Sequence, residues 1–395
     1  MTYSRANLLG WILLLTAGLW AAAAQAQEFR YRYVSLDNIE PPAPYTVFFP
    51  VSLRDGGRVY GTVCDDVCSD PHIAIYKNGT LTVLGAAGLG AGDFAIAVNA
   101  RGTLAGAVLI DPENFIFQAA LFRGDQVELL PRQPGEIFSV AFSLNDRDMA
   151  LVESDTATAI NYLLYKDGQA SPLDFGPAVT NPELFLSRKS INNHGIIAGR
   201  SGEAFNGARG FRFDPRTGQA KLLYPFPGDP TETLAWGMGI NNRGDVLGYS
   251  FTVGVQPYHE RIGVWDSTGR FRTYSVSSIS TNRLVFNDNN LIVATLAGGT
   301  SYLIPRPGVR FDLADLVENL PQGADLSIID DLNNRSDMIG FGSGGSFLLE
   351  RITNGTPRSF VASRPISSAK SKRHIMPPKA AAILRRQLPS LDELK

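Results

Sequence analysis

A chain of 395 residues with 36 Lys and Arg against 38 Asp and Glu is close to neutral as a whole. The charge is uneven: residues 351–395 hold ten Lys and Arg against two acids, which leaves the body before them acidic and disfavours nucleic acid as its partner. Apolar residues at 44% allow a substantial core, 39 Gly with 24 Pro suit turn-rich all-β structure, and no Gly-x-Ser-x-Gly, His-Glu-x-x-His, phosphate loop or ligand-spaced Cys/His set marks an enzyme class.

In chain order, residues 1–26 have the form of an export signal, with Arg5, an apolar run from Leu8 to Leu19 and a small-x-small site at Ala24-Gln25-Ala26. The run is too short to span a bilayer, and no later stretch is apolar enough to do so. The mature chain is therefore expected to be a soluble monomer in the periplasm or outside the cell. Tyr31-Arg32-Tyr33-Val34-Ser35-Leu36 then alternates as a strand.

From there to about residue 351 the chain repeats itself. Gly239-Ile240-Asn241-Asn242-Arg243-Gly244-Asp245-Val246-Leu247-Gly248 is the clearest of seven copies, and Ile191-Asn192-Asn193-His194-Gly195-Ile196-Ile197-Ala198-Gly199 is close to it. The others centre on Asn99, Asn145, Asn287 and Asn333, with Arg54 in the Asn slot of the first, at intervals of 45 to 49 residues. Each copy predicts a hairpin whose Asn and Gly accept the positive φ of a tight tip. A second hairpin follows, as in His72-Ile73-Ala74-Ile75-Tyr76-Lys77-Asn78-Gly79 and Tyr162-Leu163-Leu164-Tyr165-Lys166-Asp167-Gly168. Four short strands per period predict a seven-bladed β-propeller over residues 27–351, four antiparallel strands to a blade. The seventh copy stops after its third strand, so the N-terminal strand is expected to complete that blade and latch the ring.

These two motifs resemble those of the bacterial extracellular HAF-repeat proteins, which combine Ile-Asn-Asn-x-Gly-x-Val-x-Gly with His-Ala-Phe-Leu-Tyr-x-x-Gly. The resemblance covers about residues 29–350 and implies a secreted propeller. It implies no particular chemistry.

Cys64 and Cys68, the only cysteines, are expected to form a local disulfide in an oxidising compartment. A metal held there by Asp65, Asp66, Asp70 and His72 is disfavoured for want of a second Cys/His pair. No cofactor is expected. Inner-strand positions are mostly small, so Arg188, Lys189 and Arg283, with Asp330 and Asp331, stand out. They imply either cross-blade ion pairs, such as Arg283 with Asp330 or Asp331, or a polar channel lining for an anionic or sugar-like ligand, with Trp236 as a stacking surface. Tyr258-His259-Glu260-Arg261 groups a base, an acid and a cation in one loop, and Tyr258, His259 and Glu260 are the candidates for chemistry. Residues 352–395 predict a solvated basic tail. The reading favoured is a non-catalytic scaffold holding a protein or glycan on its loop-rich face. The alternative is a carbohydrate-active lyase or hydrolase at the channel mouth.

Overall fold

The computed structural model describes residues 29–65, 71–84, 94–124, 126–184, 189–203, 206–252 and 259–353. The export signal, Cys68, Arg188, Tyr258 and the tail from residue 354 lie outside the described residues. Strands account for all the regular structure described, apart from one three-residue 3-10 turn at Ala314–Leu316. No helix among the described residues is long and apolar enough to cross a membrane.

The strands follow the sequence repeat. Unit 1 is Val47–Arg54, Arg58–Cys64, His72–Lys77 and Thr80–Val83, and unit 2 is Phe94–Val98, Leu104–Asp111, Ile116–Arg123 and Gln126–Leu129. Unit 3 is Glu136–Leu144, Ala150–Thr156, Ile160–Lys166 and Gln169–Pro172. Unit 4 contributes Ile197–Glu203, Asn206–Asp214 and Gln219–Leu223, and unit 5 is Leu234–Ile240, Val246–Phe251, Glu260–Trp265 and Phe271–Ser277. Unit 6 is Thr281–Phe286, Ile292–Leu296, Ser301–Arg306 and Val309–Asp312, and unit 7 is Ile328–Leu332, Met338–Gly342 and Gly345–Arg351. Neighbours within a unit pair antiparallel in chain order, and a single parallel bridge between Phe117 and Phe138 joins units 2 and 3 into one sheet.

The recurrent Asn does two jobs. Its Oδ1 accepts the amides two and four residues on, as Asn241 does from Arg243 (3.0 Å) and Asp245 (2.9 Å), which closes the tight tip. Its Nδ2 reaches the next unit: Asn99 donates to the carbonyl of Asn145, Asn145 to Asn192, Asn192 to Asn241, Asn287 to Asn333 and Asn333 to Arg54. Asn241 departs from this by donating to Oδ1 of Asn290. A second chain runs beside the first, through the residue after the Asn. The amides of Ala100, Asp146, Asn193, Asn242, Asp288 and Asn334 donate in turn to the side chains of Asp146, Asn193, Asn242, Asp288, Asn334 and Asp55. Both chains start at unit 2, pass through unit 7 and reach unit 1.

The strand Tyr31–Ser35 lies antiparallel to Gly345–Arg351, from Tyr31 opposite Arg351 to Ser35 opposite Phe347. Its other edge is covered by Val317–Glu318 in parallel. The two ends of the repeat region therefore share one sheet. The apolar core lies largely between units: Phe142 and Leu151 of unit 3 pack with Ile197, Phe211 and Phe213 of unit 4. Leu332 and Phe347 of unit 7 likewise pack with Val293 and Leu303 of unit 6.

Two local expectations need correction. Strict alternation along the first strands does not hold, because five of them carry an extra residue at the same place: between Pro50 and Ser52, Ala95 and Ala97, Ala141 and Ser143, Gly237 and Gly239, and Ile329 and Asp331, while unit 6 has its bulge two residues earlier, between Thr281 and Arg283. Such a bulge bends the strand and offsets the side chains beyond it. It also explains the Gly that closes the motif, since a Cβ on Gly248 would collide with the carbonyl of Trp236. Of the expected first strand of unit 4, residues 185–188 lie outside the described residues, and the residues described beside it make isolated bridges, Glu183 with Arg200 and Ile191 with Ile197. Cys64 ends its strand fully buried.

Candidate functional site

Antiparallel order puts alternate connections at opposite ends of a unit. The Asn tips and the tips between third and fourth strands share one end. The connections between second and third strands, and those between units, share the other. Because the Asn tips are bonded to each other from unit to unit, all units present the same two ends.

Among the described residues, the large exposed apolar side chains are confined to one of them. The large apolar side chains left exposed among the described residues are Phe115, Leu129, Ile137, Ile160, Tyr224, Val276, Ile279 and Phe341. Phe115 and Ile160 lie where second strand passes to third, and Phe341 is next to last in its second strand. Leu129, Ile137, Tyr224, Val276 and Ile279 lie in or beside connections between units. All of them are at the linker end. Ile137 reaches solvent through a further bulge, between Glu136 and Phe138.

The same end of unit 5 carries a polar cluster. His259 immediately precedes the third strand, and its Nε2 is 3.2 Å from Oδ2 of Asp229 and 3.2 Å from Oε1 of Glu232. Asp229 and Glu232 come from the connection between units 4 and 5. Asp229 turns its Oδ1 to the amide (3.0 Å) and hydroxyl (2.7 Å) of Thr231. Glu232 accepts from the Ser250 hydroxyl on Oε2. The Arg261 guanidinium, stacked on the Phe226 ring, bonds Oε1 of Glu232 and Oδ2 of Asp229. The Thr231 contacts, with help from Arg261, hold the Asp229 carboxyl below the usual carboxylate range. Of the loop residues singled out, His259 is thus in a cluster, but its carboxylates are Asp229 and Glu232. Glu260 is buried and, as the next residue along an extended strand, faces the opposite way.

Of the two readings of the inner-strand charges, the described residues show the cross-unit pairing. Arg283 pairs with Asp330 at 2.9 Å across units 6 and 7. Asp331 accepts from the Ser52 hydroxyl and the Leu53 amide of unit 1, both at 2.9 Å. The Lys189 ammonium donates to the carbonyls of Leu332 (3.0 Å) and Phe286, and burial lowers its pKa. Trp236 has the Arg200 guanidinium over its ring at 4.9 Å and the edge of Phe251 against it. Charge withdrawn from water has to be compensated in place, and Lys189 of unit 4 reaches units 6 and 7 at once, near enough to Asp331, Asp288 and Arg54 to interact with their charges.

Sequence reasoning missed one further group. Glu153 stands opposite Tyr162 in the hairpin of unit 3, two residues before Asp155. Burial, reinforced by Asp155, pushes its carboxyl up to about 7. Its two strand positions, i and i+2 on one face, were the available signal.

No family model matches the chain, and no curated protein does. Among solved structures, the β-propeller domain of the Trilobed protease from Pyrococcus furiosus, described as having an open velcro topology, aligns with 82% of this chain and all (100%) of its own, at 9% identity and a TM-score of 0.50. A structure of YCF48 bound to D1 peptide aligns with 82% of this chain and 97% of its own, at 12% identity and a TM-score of 0.48. The first of these likenesses, together with the strand order, makes the fold a β-propeller.

Proposed function

We propose that this chain is an exported, non-catalytic β-propeller of seven blades that holds a protein partner against its linker end. The observation that carries the reading is the confinement of the large exposed apolar side chains, among the described residues, to that end. Apolar patches gathered on one face of a soluble protein mark interaction sites. Most of these side chains are aliphatic (Leu129, Ile137, Ile160, Val276, Ile279), which suits a protein surface better than a sugar ring, whose faces stack on flat aromatics. Closure into seven blades is supported by the bonds from Asn333 and Asp331 back to unit 1 and by the shared terminal sheet. Membership of the HAF-repeat group fits the same picture, as does a disulfide between Cys64 and Cys68. The non-catalytic part is supported by Arg261, which occupies the inner oxygens of both carboxylates at His259.

The test is site-specific photo-crosslinking in the cells that make the protein. Probes at Ile137, Ile160 and Ile279 are expected to give one discrete protein adduct, and probes at Arg147 and Arg243 on the tips none. Because both side chains are more than half exposed, at 51% and 63%, the double variant Ile137→Glu, Ile160→Glu should fold normally while losing at least tenfold of the adduct. Adducts from the tips, or an unaffected double variant, would refute the docking face. Turnover of a polysaccharide that Glu153→Gln abolishes would refute the non-catalytic reading.

A further inference from the structure

The cluster at His259 has the form of a cation site. Three donor atoms of different kinds, Oδ2 of Asp229, Oε1 of Glu232 and Nε2 of His259, lie within 4.8 Å of one another. The imidazole nitrogen is closed off from solvent and makes no directed hydrogen bond, although a carboxylate oxygen lies 3.2 Å away on each of two sides. Ligands around a transition metal at about 2.0–2.1 Å are separated from one another by roughly 3.0–3.4 Å.

The surroundings are also organised as such a site requires. Each carboxylate has one oxygen anchored by a local hydroxyl, Thr231 for Asp229 and Ser250 for Glu232, and turns the other inward. Outer contacts of this kind fix ligand orientation. Arg261 bonds the two inner oxygens and cancels one of their two charges. A carboxylate oxygen has a second lone pair, so this contact leaves a coordinating position. With a neutral imidazole, one negative charge is left over.

The chain supplies its own comparison. Glu136 in unit 3 bonds Ser154 just as Glu232 in unit 5 bonds Ser250, at the same spacing along the sequence. Glu136 is completed by Ser139 and Arg132, a purely structural brace. In unit 5 the brace has gained Asp229 and His259, which a brace does not need.

We propose that Asp229, Glu232 and His259 bind a divalent transition-metal ion of the zinc class at the linker end of unit 5. One nitrogen and two oxygens favour such an ion over calcium or magnesium. Three protein ligands leave an outward position for water or a ligand group. The site stands or fails separately from the docking face, because its test needs no partner.

The test uses the full mature chain, stripped with a chelator and titrated calorimetrically with zinc chloride, with magnesium chloride in parallel. One zinc per chain is expected, with a rise in Tm and no response to magnesium. His259→Ala and Asp229→Asn, both at partly exposed side chains, should each weaken zinc at least tenfold. His72→Ala and His194→Ala should leave it unchanged. No zinc bound, zinc bound equally by His259→Ala, or a Tm indifferent to zinc would each overturn the proposal.

Discussion

Deleting residues 29–36 leaves a chain with no cooperative unfolding transition. The strand Tyr31–Ser35 is an interior member of the last sheet, hydrogen-bonded on both edges. Tyr31 and Leu36 are fully buried, and Phe29 and Tyr33 nearly so. Burying such side chains stabilises by about 1.5–3 kcal/mol each, so four of them contribute roughly 6–12 kcal/mol before any ladder bond is counted. That is about the whole net stability of an ordinary domain, on the order of 5–15 kcal/mol. Differential scanning calorimetry is the measurement, and a peptide spanning residues 27–37 added in trans should restore the transition. A truncated protein melting cooperatively near the parent temperature would show that the N-terminal strand is dispensable.

Glu153→Gln changes how stability depends on pH. In the folded protein the Glu153 carboxyl titrates at about 7, against an ordinary value of 4.5. Asp155 on its own strand adds to the rise, Tyr162 faces it from the next strand, and Arg200 of unit 4 lies beyond Tyr162. A folded-state pKa above the unfolded one means that folding retains the proton. The favourable contribution is therefore complete below about pH 4.5, declines as pH rises to about 7, and is absent above that. A shift of this size corresponds to about 3 kcal/mol, and to about 2 kcal/mol once the wet part of the side chain is discounted. Denaturant melts between pH 4.5 and 8 should show wild type losing that amount relative to Glu153→Gln, whose curve is flatter. Parallel curves would place Glu153 in water.

The repeat was legible because the Asn at each tip cannot drift, since its side-chain oxygen must satisfy two amides of the same turn. The pairing of the N-terminal strand with the last unit was legible for a similar reason, as a unit one strand short has to find another. The bulges were not, since an extra residue present at the same place in five of the copies leaves their spacing unchanged. The partners of His259 were hidden too. Asp229 and Glu232 sit in a connection that the repeat does not constrain, and only the matching spacing of Glu136 with Ser154 and Glu232 with Ser250 hinted at them. Arg54, which takes the Asn slot of the first copy, turns out to matter through what it lacks.

Among the described residues, neither chain of tip bonds crosses from unit 1 to unit 2. Arg54 has no amide to offer, and its Nε is buried without a hydrogen-bond partner. Ala100 presents a methyl group where the other units have an acceptor. A necklace parts at its unclasped link, and here that link is internal, not the place where the two chain ends meet. Amide exchange should therefore be fastest, among the tips, at Asp55, and new termini cut between residues 84 and 94 should be tolerated better than a gap anywhere else between blades. An architecture closed by its ends would in that case keep its give one blade further on.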